Sequence, residues 1–352
     1  MSDLWPHQER ALEALASRDA VMIHYGMGTG KSRIVVEHIR RHAPARTLIL
    51  CPLSVCQVWP YQLRKHGVSA RPLVLDSGLI RDKAKRIEPY LKAQEARDEP
   101  AIVVVNYDSA WRTQLGKKLA ATFWDLSVCD ESHRIKSPTS KIARFSHLRL
   151  RPVSKKRVCM TGTLLPHSPL DIVGQYAFLD PKIFGPWQTG FLRRYAIMGG
   201  YENRQVVRWE NADELREKIA LLELRARSED VLSLPPSQHV ELPVSLPSKA
   251  LSIYRLLEDE FLAEVDAGTI TAANAMVKLL RLQQVTGGAT KTEDGRTAEI
   301  HREKESALSD LLESADPSEP VVVFARFHSD LDQTIRAAKD RGGVLELSGR
   351  KN

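Results

Sequence analysis

A glycine-rich stretch near the N-terminus has the residue types and spacing of a phosphate-binding loop. It reads Gly26-Met27-Gly28-Thr29-Gly30-Lys31-Ser32 and lies between a predicted strand and a predicted helix. Glycines let backbone N–H groups approach phosphate oxygens, and the helix N-terminus adds a positive dipole end. We expect Lys31 to reach the β- and γ-phosphates and Ser32 to ligate Mg²⁺. Tyr25 stands where the strict pattern has glycine, and a plain strand–helix turn is the alternative interpretation.

Two adjacent carboxylates follow an apolar run in the middle of the chain. Asp130-Glu131-Ser132-His133 comes directly after Leu126–Cys129. A carboxylate at the end of a strand beside a phosphate loop can hold Mg²⁺, and its neighbour can orient or deprotonate the attacking water. Lys31, Asp130 and Glu131 are therefore the candidate catalytic residues, with Ser32 and Asp130 as the Mg²⁺ ligands. The alternative is an ordinary charged turn after a strand.

These residues need a scaffold in which strands and helices alternate. The apolar runs predict strands at Ala20–His24, Thr47–Cys51, Pro72–Leu75, Ala101–Val105, Leu126–Cys129 and Arg157–Met160. Helical patterns lie between them, for example at Lys31–Arg41 and Ser54–Lys65. Continuous Val/Ile/Leu runs separated by helices predict an α/β fold with a parallel sheet covered on both faces.

The 352 residues suggest about two domains at ~150 residues each. We predict a first domain over 1–230, whose 164–226 portion is helical and aromatic-rich, then a Pro-rich segment at 231–247. Residues 248–352 begin a second α/β unit. Its predicted elements are helices at Ser248–Ala267, Thr271–Val285 and near His328–Asp340, and strands at Pro320–Ala325 and near Val344–Leu347.

Positive charge is concentrated in the first domain. Residues 1–230 hold 37 Lys/Arg and 25 Asp/Glu, whereas 231–352 hold 14 and 19. Nine Lys/Arg and no Asp/Glu lie between Ser132 and Leu170. A solvated face is one interpretation, and a polyanion partner is the other. The candidate contacts to such a polyanion are Arg134, Lys136, Lys141, Arg144, Lys155, Lys156 and Arg157.

The composition argues against several other classes of protein. Hydrophobic residues make up 43% and charged residues 27%, which excludes disorder over the whole chain. No apolar run approaches the ~18 residues that cross a bilayer, and the first ten residues resemble neither a signal peptide nor an anchor. The four cysteines form no CxxC pair, so buried reduced thiols are expected. We expect a cytoplasmic, nucleoid-associated protein of a bacterium or a phage-infected host.

The order of these motifs resembles the Swi/Snf family of superfamily-two helicase-like ATPases in its compact phage and bacterial form. The matching segments begin with Leu4-Trp5-Pro6-His7-Gln8, the glycine-rich loop, Leu48-Ile49-Leu50-Cys51-Pro52 with Trp59, Val105-Asn106-Tyr107-Asp108, Asp130–Lys136 and Met160-Thr161-Gly162-Thr163. Arg225–Pro236, Leu282–Gly288 and Val322-Val323-Phe324-Ala325 then resemble the family's inter-lobe segment and the start of its second lobe.

The resemblance implies a P-loop NTPase with RecA-like lobes, the first complete and the second partial. It implies an ATP-dependent translocase or helicase-like ATPase that acts on duplex DNA with little sequence preference. Gln8 would contact adenine, and the loop residues Gly26, Met27, Gly28, Thr29 and Gly30 would bind the phosphates. His133, Thr161, Gly162 and Thr163 would couple the ATP site to DNA.

Two departures from the family pattern affect what we expect of this chain. Leu164-Leu165-Pro166-His167 replaces the usual Pro-x-x-Asn, and no stretch resembles motifs V and VI, which carry arginines of the ATP site. Residues 1–352 alone should therefore bind ATP and hydrolyse it poorly, and a second polypeptide or a longer gene would supply those motifs. A strand-separating helicase and a non-motor DNA-binding fragment are the two alternative functions.

Overall fold

The computed structural model describes residues 4–233, 235–266, 271–291 and 296–350. The chain forms two compact units, Met1–Pro235 and Pro236–Asn352, and each is described by itself.

The first unit is built on a seven-stranded parallel sheet. Its strands are β1 (Ala20–Tyr25), β2 (Arg46–Cys51), β3 (Leu73–Leu75), β4 (Ala101–Asn106), β5 (Trp124–Asp130), β6 (Ser154–Thr161) and β9 (Glu223–Ala226). They lie in the order β3-β4-β2-β5-β6-β1-β9. Since all are parallel, the carboxyl ends of β1, β5 and β6 meet at one edge of the sheet. The six strands expected from the sequence are confirmed in type and place.

Helices cover both faces of this sheet. They are α1 (Pro6–Ser17), α2 (Lys31–His42), α3 (Val58–Lys65), α4 (Ile80–Glu95), α5 (Tyr107–Ala110), α6 (Thr113–Ala120), α7 (Lys141–Phe145), α8 (Ile172–Leu179), α9 (Pro181–Phe184), α10 (Gln188–Tyr195), α11 (Ala212–Ala220) and α12 (Ser228–Val231). Successive strand residues belong to two different apolar clusters: Leu48 and Leu50 to one, Ile49 and Cys51 to the other. Because side chains alternate between the two faces of a strand, the two clusters lie on opposite faces of the sheet, and both faces are covered.

The expectation that 164–226 is helical is wrong in two places. Glu223–Ala226 forms the seventh strand, β9, which pairs with β1 at the edge of the sheet. Ala196–Gly199 and Gln205–Trp209 form an antiparallel hairpin, β7–β8. An edge strand has only one neighbour and tolerates charged residues such as Glu223 and Arg225, so it carries no continuous apolar run.

Over its described residues, the second unit contains four α-helices and a short antiparallel ladder. They are α13 (Ser248–Asp266), α14 (Ala272–Gly287), α15 (Glu303–Ser314), α16 (His328–Ala337), β10 (Ala289–Lys291) and β11 (Thr297–Glu299). The predicted helix end at Ala267 lies outside the described residues. The Thr271 side chain accepts a hydrogen bond from the Asn274 N–H at 3.3 Å and caps α14.

The predicted strands at Pro320–Ala325 and Val344–Leu347 are not observed as strands. Over the described residues neither segment joins a hydrogen-bonded ladder. Phe324 is 95% exposed and Leu345 is 94% exposed. A β-strand is stabilised by hydrogen bonds to a neighbouring strand, and an apolar run without such a neighbour does not form one.

The interior agrees with the expectation for the cysteines. Cys51, Cys56, Cys129 and Cys159 form no disulfide and are buried.

Within the described ranges, no group of three or more His, Cys, Asp or Glu could hold a metal ion. In the same part of the chain, no helix is both long and apolar enough to cross a membrane.

Candidate nucleotide site

The glycine-rich loop connects the end of β1 to the start of α2. Gly28 has φ +76° and Gly30 has φ +81°, in the left-handed region that favours glycine. Gly30 is the N-cap of α2, and Lys31 and Ser32 are its first two residues. The N–H groups of the first turn of a helix have no acceptor within the helix, so they are available to an anion.

Side chains hold three of the loop's carbonyl groups. The Gly26 carbonyl accepts hydrogen bonds from Thr29 Oγ1 at 2.8 Å and Lys31 Nζ at 3.0 Å. The Thr29 carbonyl accepts from Gln8 Nε2 at 3.0 Å and lies 2.9 Å from His7 Nε2. Ser228 Oγ donates to the Met27 carbonyl at 2.8 Å. In a trans peptide the next N–H points the opposite way, so these bonds also set the direction of the amides.

Gln8 joins helix α1 to the loop. Its Nε2 donates to the Thr29 carbonyl, and its Oε1 accepts from the Trp5 N–H at 3.1 Å. Only 2% of the residue is exposed. The structure thus places Gln8 beside the loop, and its contact with adenine stays a prediction.

Tyr25 occupies the position where the strict loop pattern has glycine. It is the last residue of β1, where no left-handed φ is required. The Tyr25 hydroxyl donates to the His7 carbonyl at 2.7 Å. The larger residue therefore packs α1 against the base of the loop and leaves the loop's path intact.

The two carboxylates lie at the end of β5, as the sequence indicates. Asp130 is the last residue of β5 and 5% exposed. Burial, and next the charge of Glu131, raise the pKa of Asp130 to about 6, although the Lys31 ammonium opposes the shift. Burial likewise lowers the pKa of Lys31, and the charges of Glu131 and Asp130 oppose that shift. Since β1 and β5 both pair in parallel with β6, the loop after β1 and the two carboxylates after β5 lie at the same edge of the sheet.

The residues present fit a bound Mg²⁺ ion. Two carboxylates and the Lys31 ammonium lie at this edge of the sheet, so the site has more acidic than basic side chains. Carboxylate and hydroxyl oxygens are hard donors of the kind that Mg²⁺ prefers. Asp130 and Ser32 are the side chains that would hold the ion.

The four residues predicted to couple the site to DNA lie beside the carboxylates. His133 Nδ1 and Thr161 Oγ1 share a hydrogen bond of 3.3 Å, and the same nitrogen lies 3.3 Å from Glu131 Oε2. Thr161 Oγ1 also accepts from the Thr163 N–H at 3.0 Å. A Cβ placed on Gly162 would lie 3.8 Å from Lys31 Nζ. Polar contacts therefore run from Glu131 through His133 to the turn after β6.

Glu131 has an unusual backbone conformation. Its φ of 51° and ψ of 55° are in the left-handed region, which is sparsely populated for residues other than glycine. Tyr107 donates from its hydroxyl to the Asp130 carbonyl at 2.7 Å and supports the peptide just before this turn. Such strain occurs at functional sites where surrounding contacts maintain it.

The structure separates the candidate DNA contacts into two groups. In the first group, Arg144 and Lys155 are exposed, and the Lys141 ammonium lies 5.0 Å from the centre of the Trp111 ring. Arg134 lies 3.6 Å from Asp108, and Lys136 lies 3.6 Å from Asp171. Lys156 instead donates to the carbonyls of Leu15, Ala16 and Arg18 at 2.9–3.0 Å. Arg157 donates to those of Leu179 and Ser154 at 2.9 Å and Lys155 at 3.1 Å. These internal bonds give Lys156 and Arg157 a structural role that the charge pattern does not reveal.

Lys156→Ala should lower stability without weakening DNA binding. The ammonium group donates hydrogen bonds to carbonyls at the C-terminal end of α1, where a positive charge is favourable. This contact contributes about 1 kcal/mol for a partly exposed group. The thermal midpoint should fall by roughly 2–4 °C. Lys155→Ala is the matched control, because the neighbouring side chain is exposed and should not change the midpoint. Weaker DNA binding by Lys156→Ala at unchanged stability would contradict this assignment.

Two residues that contact the loop, His7 and Ser228, are not among the predicted site residues. His7 lies within the predicted motif Leu4–Gln8, and Ser228 lies within the predicted segment Arg225–Pro236. Ser228 is 201 positions from Met27 in the sequence, and the strand before it has no apolar run. No periodic signal could have placed Ser228 at the loop.

Comparison with known proteins agrees with this geometry. The family model of the SNF2-related domain matches residues 7–288. Protein p41 of Acyrthosiphon pisum secondary endosymbiont phage 1, described as putative, is 26% identical over 358 residues, covering 94% of this chain and 74% of p41. The human helicase-like transcription factor is 27% identical over 252 residues, covering 69% of this chain and 24% of that protein. This chain thus spans about a quarter of the length of that relative.

The fold agrees with a solved structure as well. The Sulfolobus solfataricus SWI2/SNF2 ATPase core in complex with dsDNA superposes with a TM-score of 0.54 and 20% identity, covering 96% of this chain and 70% of the archaeal one. The parallel sheet of the first unit is that of a RecA-like lobe. With its phosphate loop, its adjacent carboxylates and a family match over residues 7–288, the chain belongs to the SNF2-related domain family.

Proposed function

We propose that this protein is an ATPase that duplex DNA stimulates and that couples ATP hydrolysis to movement on, or remodelling of, the duplex. The observation that carries the proposal is the contact between His133, next to the carboxylate pair, and Thr161 at the end of the adjacent strand. This contact links the hydrolytic residues to a turn that follows β6. A plain nucleotide-binding protein has no need of such a link.

The residues of the first unit account for nucleotide binding and hydrolysis. The loop amides and Lys31 bind the phosphates, and Lys31 exchanges its bonds to the Tyr25 and Gly26 carbonyls for bonds to phosphate oxygens. Ser32 and Asp130 hold Mg²⁺, which when bound neutralises charge on the phosphates. Glu131 orients the attacking water and accepts its proton. Gln8 and His7 hold the loop in place from α1.

Duplex DNA is the proposed partner because exposed positive charge lies on the same unit. The archaeal core with this fold was solved with dsDNA. Lys141, Arg144 and Lys155 have exposed side chains in the stretch without acidic residues. Contacts of this kind are made to phosphates and therefore tolerate any base sequence.

Neutralising these three side chains should weaken DNA binding and reduce its dependence on salt. Each phosphate contact contributes about 0.9 to the slope of log K against log salt. The triple variant Lys141→Ala, Arg144→Ala, Lys155→Ala should therefore lower the slope by up to about 3. The control replaces Lys249, Lys304 and Lys339, which are exposed in the acidic second unit, and should leave the slope unchanged. Equal slopes for the two triple variants would place the DNA surface elsewhere.

The proposed activity is tested by ATP turnover with and without duplex DNA. DNA-stimulated turnover supports the ATPase, and DNA binding without turnover supports the alternative of a non-motor DNA-binding protein. A triplex-displacement assay then reports translocation, whereas a duplex-unwinding assay reports strand separation.

A further inference from the structure

We infer that Ser228 is a positioning residue of the phosphate loop and that it ties nucleotide binding to the segment that follows β9. The inference rests on the proposed ATP site. Ser228 Oγ donates to the Met27 carbonyl at 2.8 Å, and Ser228 is the first residue of α12. This segment precedes Pro236, where the second unit begins.

Residues 226–232 lie along the outer side of the loop. The Gly26 N–H donates to the Ala226 carbonyl at 2.9 Å. A Cβ placed on Gly26 would lie 2.2 Å from Ser228 Oγ and 2.7 Å from Ser228 N. A Cβ on Gly28 would lie 3.3 Å from Leu232 Cδ1. Position 26 is therefore glycine because the segment approaches it so closely; its φ is not in the left-handed region.

The bond from Ser228 orients one peptide group of the loop. The Met27 carbonyl points to Ser228, so the Gly28 N–H of the same trans peptide points away from it. Met27 is 83% exposed, and Gly28 has few conformational restrictions. Over the described residues, the Met27 carbonyl has one side-chain hydrogen-bond partner, Ser228. The Gly26 and Thr29 carbonyls each have two side-chain partners. Without the hydroxyl, this peptide group loses its side-chain support.

Thermodynamic linkage makes the effect reciprocal. A contact that favours the loop conformation able to bind phosphate must itself be favoured when phosphate is bound. Nucleotide should therefore hold the 226–232 segment against the loop. Arg227 is exposed and immediately precedes Ser228, so trypsin cleavage at Arg227 reports how closely the segment is held.

The first measurement is the dissociation constant of MgADP, determined by calorimetry on the full chain. Loss of one hydrogen bond should weaken binding by Ser228→Ala about 2- to 10-fold. Ser233→Ala is the matched control, since Ser233 is exposed and directly follows this segment, and it should bind like wild type. Lys31→Ala gives the baseline for loss of the phosphate site.

The second measurement is the protection of Arg227 from trypsin by saturating MgADP. Cleavage with MgADP is compared with cleavage without it in the same variant, so a general change in stability affects both and cancels. Wild type and Ser233→Ala should be protected, and Ser228→Ala should lose most of the protection. Wild-type affinity together with undiminished protection in Ser228→Ala would overturn the inference. Lower stability with undiminished protection would also overturn it, because Ser228 would then be structural alone. If wild type binds no better than Lys31→Ala, the proposed ATP site itself fails.

Discussion

Replacing Glu131 by glutamine is expected to lower ATP turnover by about 10²–10⁴-fold, the range that general bases contribute, while nucleotide affinity stays close to that of wild type. Glutamine keeps the size of the side chain but cannot accept a proton from water. Lys31, Ser32 and Asp130 remain in place to bind the phosphates and Mg²⁺. The variant should therefore trap the nucleotide instead of losing it.

The Glu131 experiment compares turnover and binding in the same preparations. Single-turnover rates with saturating duplex DNA give the chemical step, and calorimetry gives the dissociation constant. Glu217→Gln serves as the control, since Glu217 is an exposed carboxylate on α11. His133 lies 3.3 Å from Glu131, so a thermal unfolding curve must show that the neutral variant keeps its stability. Turnover at the wild-type rate would assign the base to another residue.

Lys31→Ala is expected to weaken MgADP binding by about 10- to 100-fold. A hydrogen bond from a charged donor contributes about 1.5–3 kcal/mol, and of the two phosphates that Lys31 is expected to reach, ADP carries only the β-phosphate. The ammonium group already lies at the loop, with bonds of 2.9 and 3.0 Å to the Tyr25 and Gly26 carbonyls. It therefore needs only a short movement to reach a phosphate.

The Lys31 experiment needs a control for the loss of one positive charge. Lys182→Ala supplies it, because Lys182 is exposed on α9. That variant should bind MgADP as wild type does. An unfolding curve of Lys31→Ala without nucleotide separates loss of the loop bonds from loss of the phosphate contact. Affinity within about 3-fold of wild type would show that the loop amides alone determine binding.

Six of the seven strands were predictable because each lies in the interior of the sheet or carries an apolar run. All six residues of Ala101–Asn106 are buried, for example. The seventh strand, Glu223–Ala226, has a neighbour on one side only and lacks such a run. In the second unit the opposite error occurred, since Val344–Leu347 has the composition of a strand but no neighbouring strand in the described residues.

The sequence by itself determined the loop glycines, Lys31, Ser32 and the adjacent Asp130 and Glu131, together with the strands and helices that position them. These are local features, because spacing, backbone freedom and apolar runs act over a few residues. The family resemblance predicted a role for His133 and Thr161, and the structure shows the hydrogen bond between them.

Only the tertiary structure decided which of several chemically similar side chains form hydrogen bonds within the protein and which are exposed. Lys155 and Lys156 are neighbours, yet one is exposed and the other caps a helix that is more than 130 positions away in sequence. Ser228 reaches Met27 because β9 lies beside β1, a pairing that no local pattern indicates. Strand order determines which distant residues meet, and it depends on packing of the whole sheet, so these contacts could not be deduced from the sequence alone.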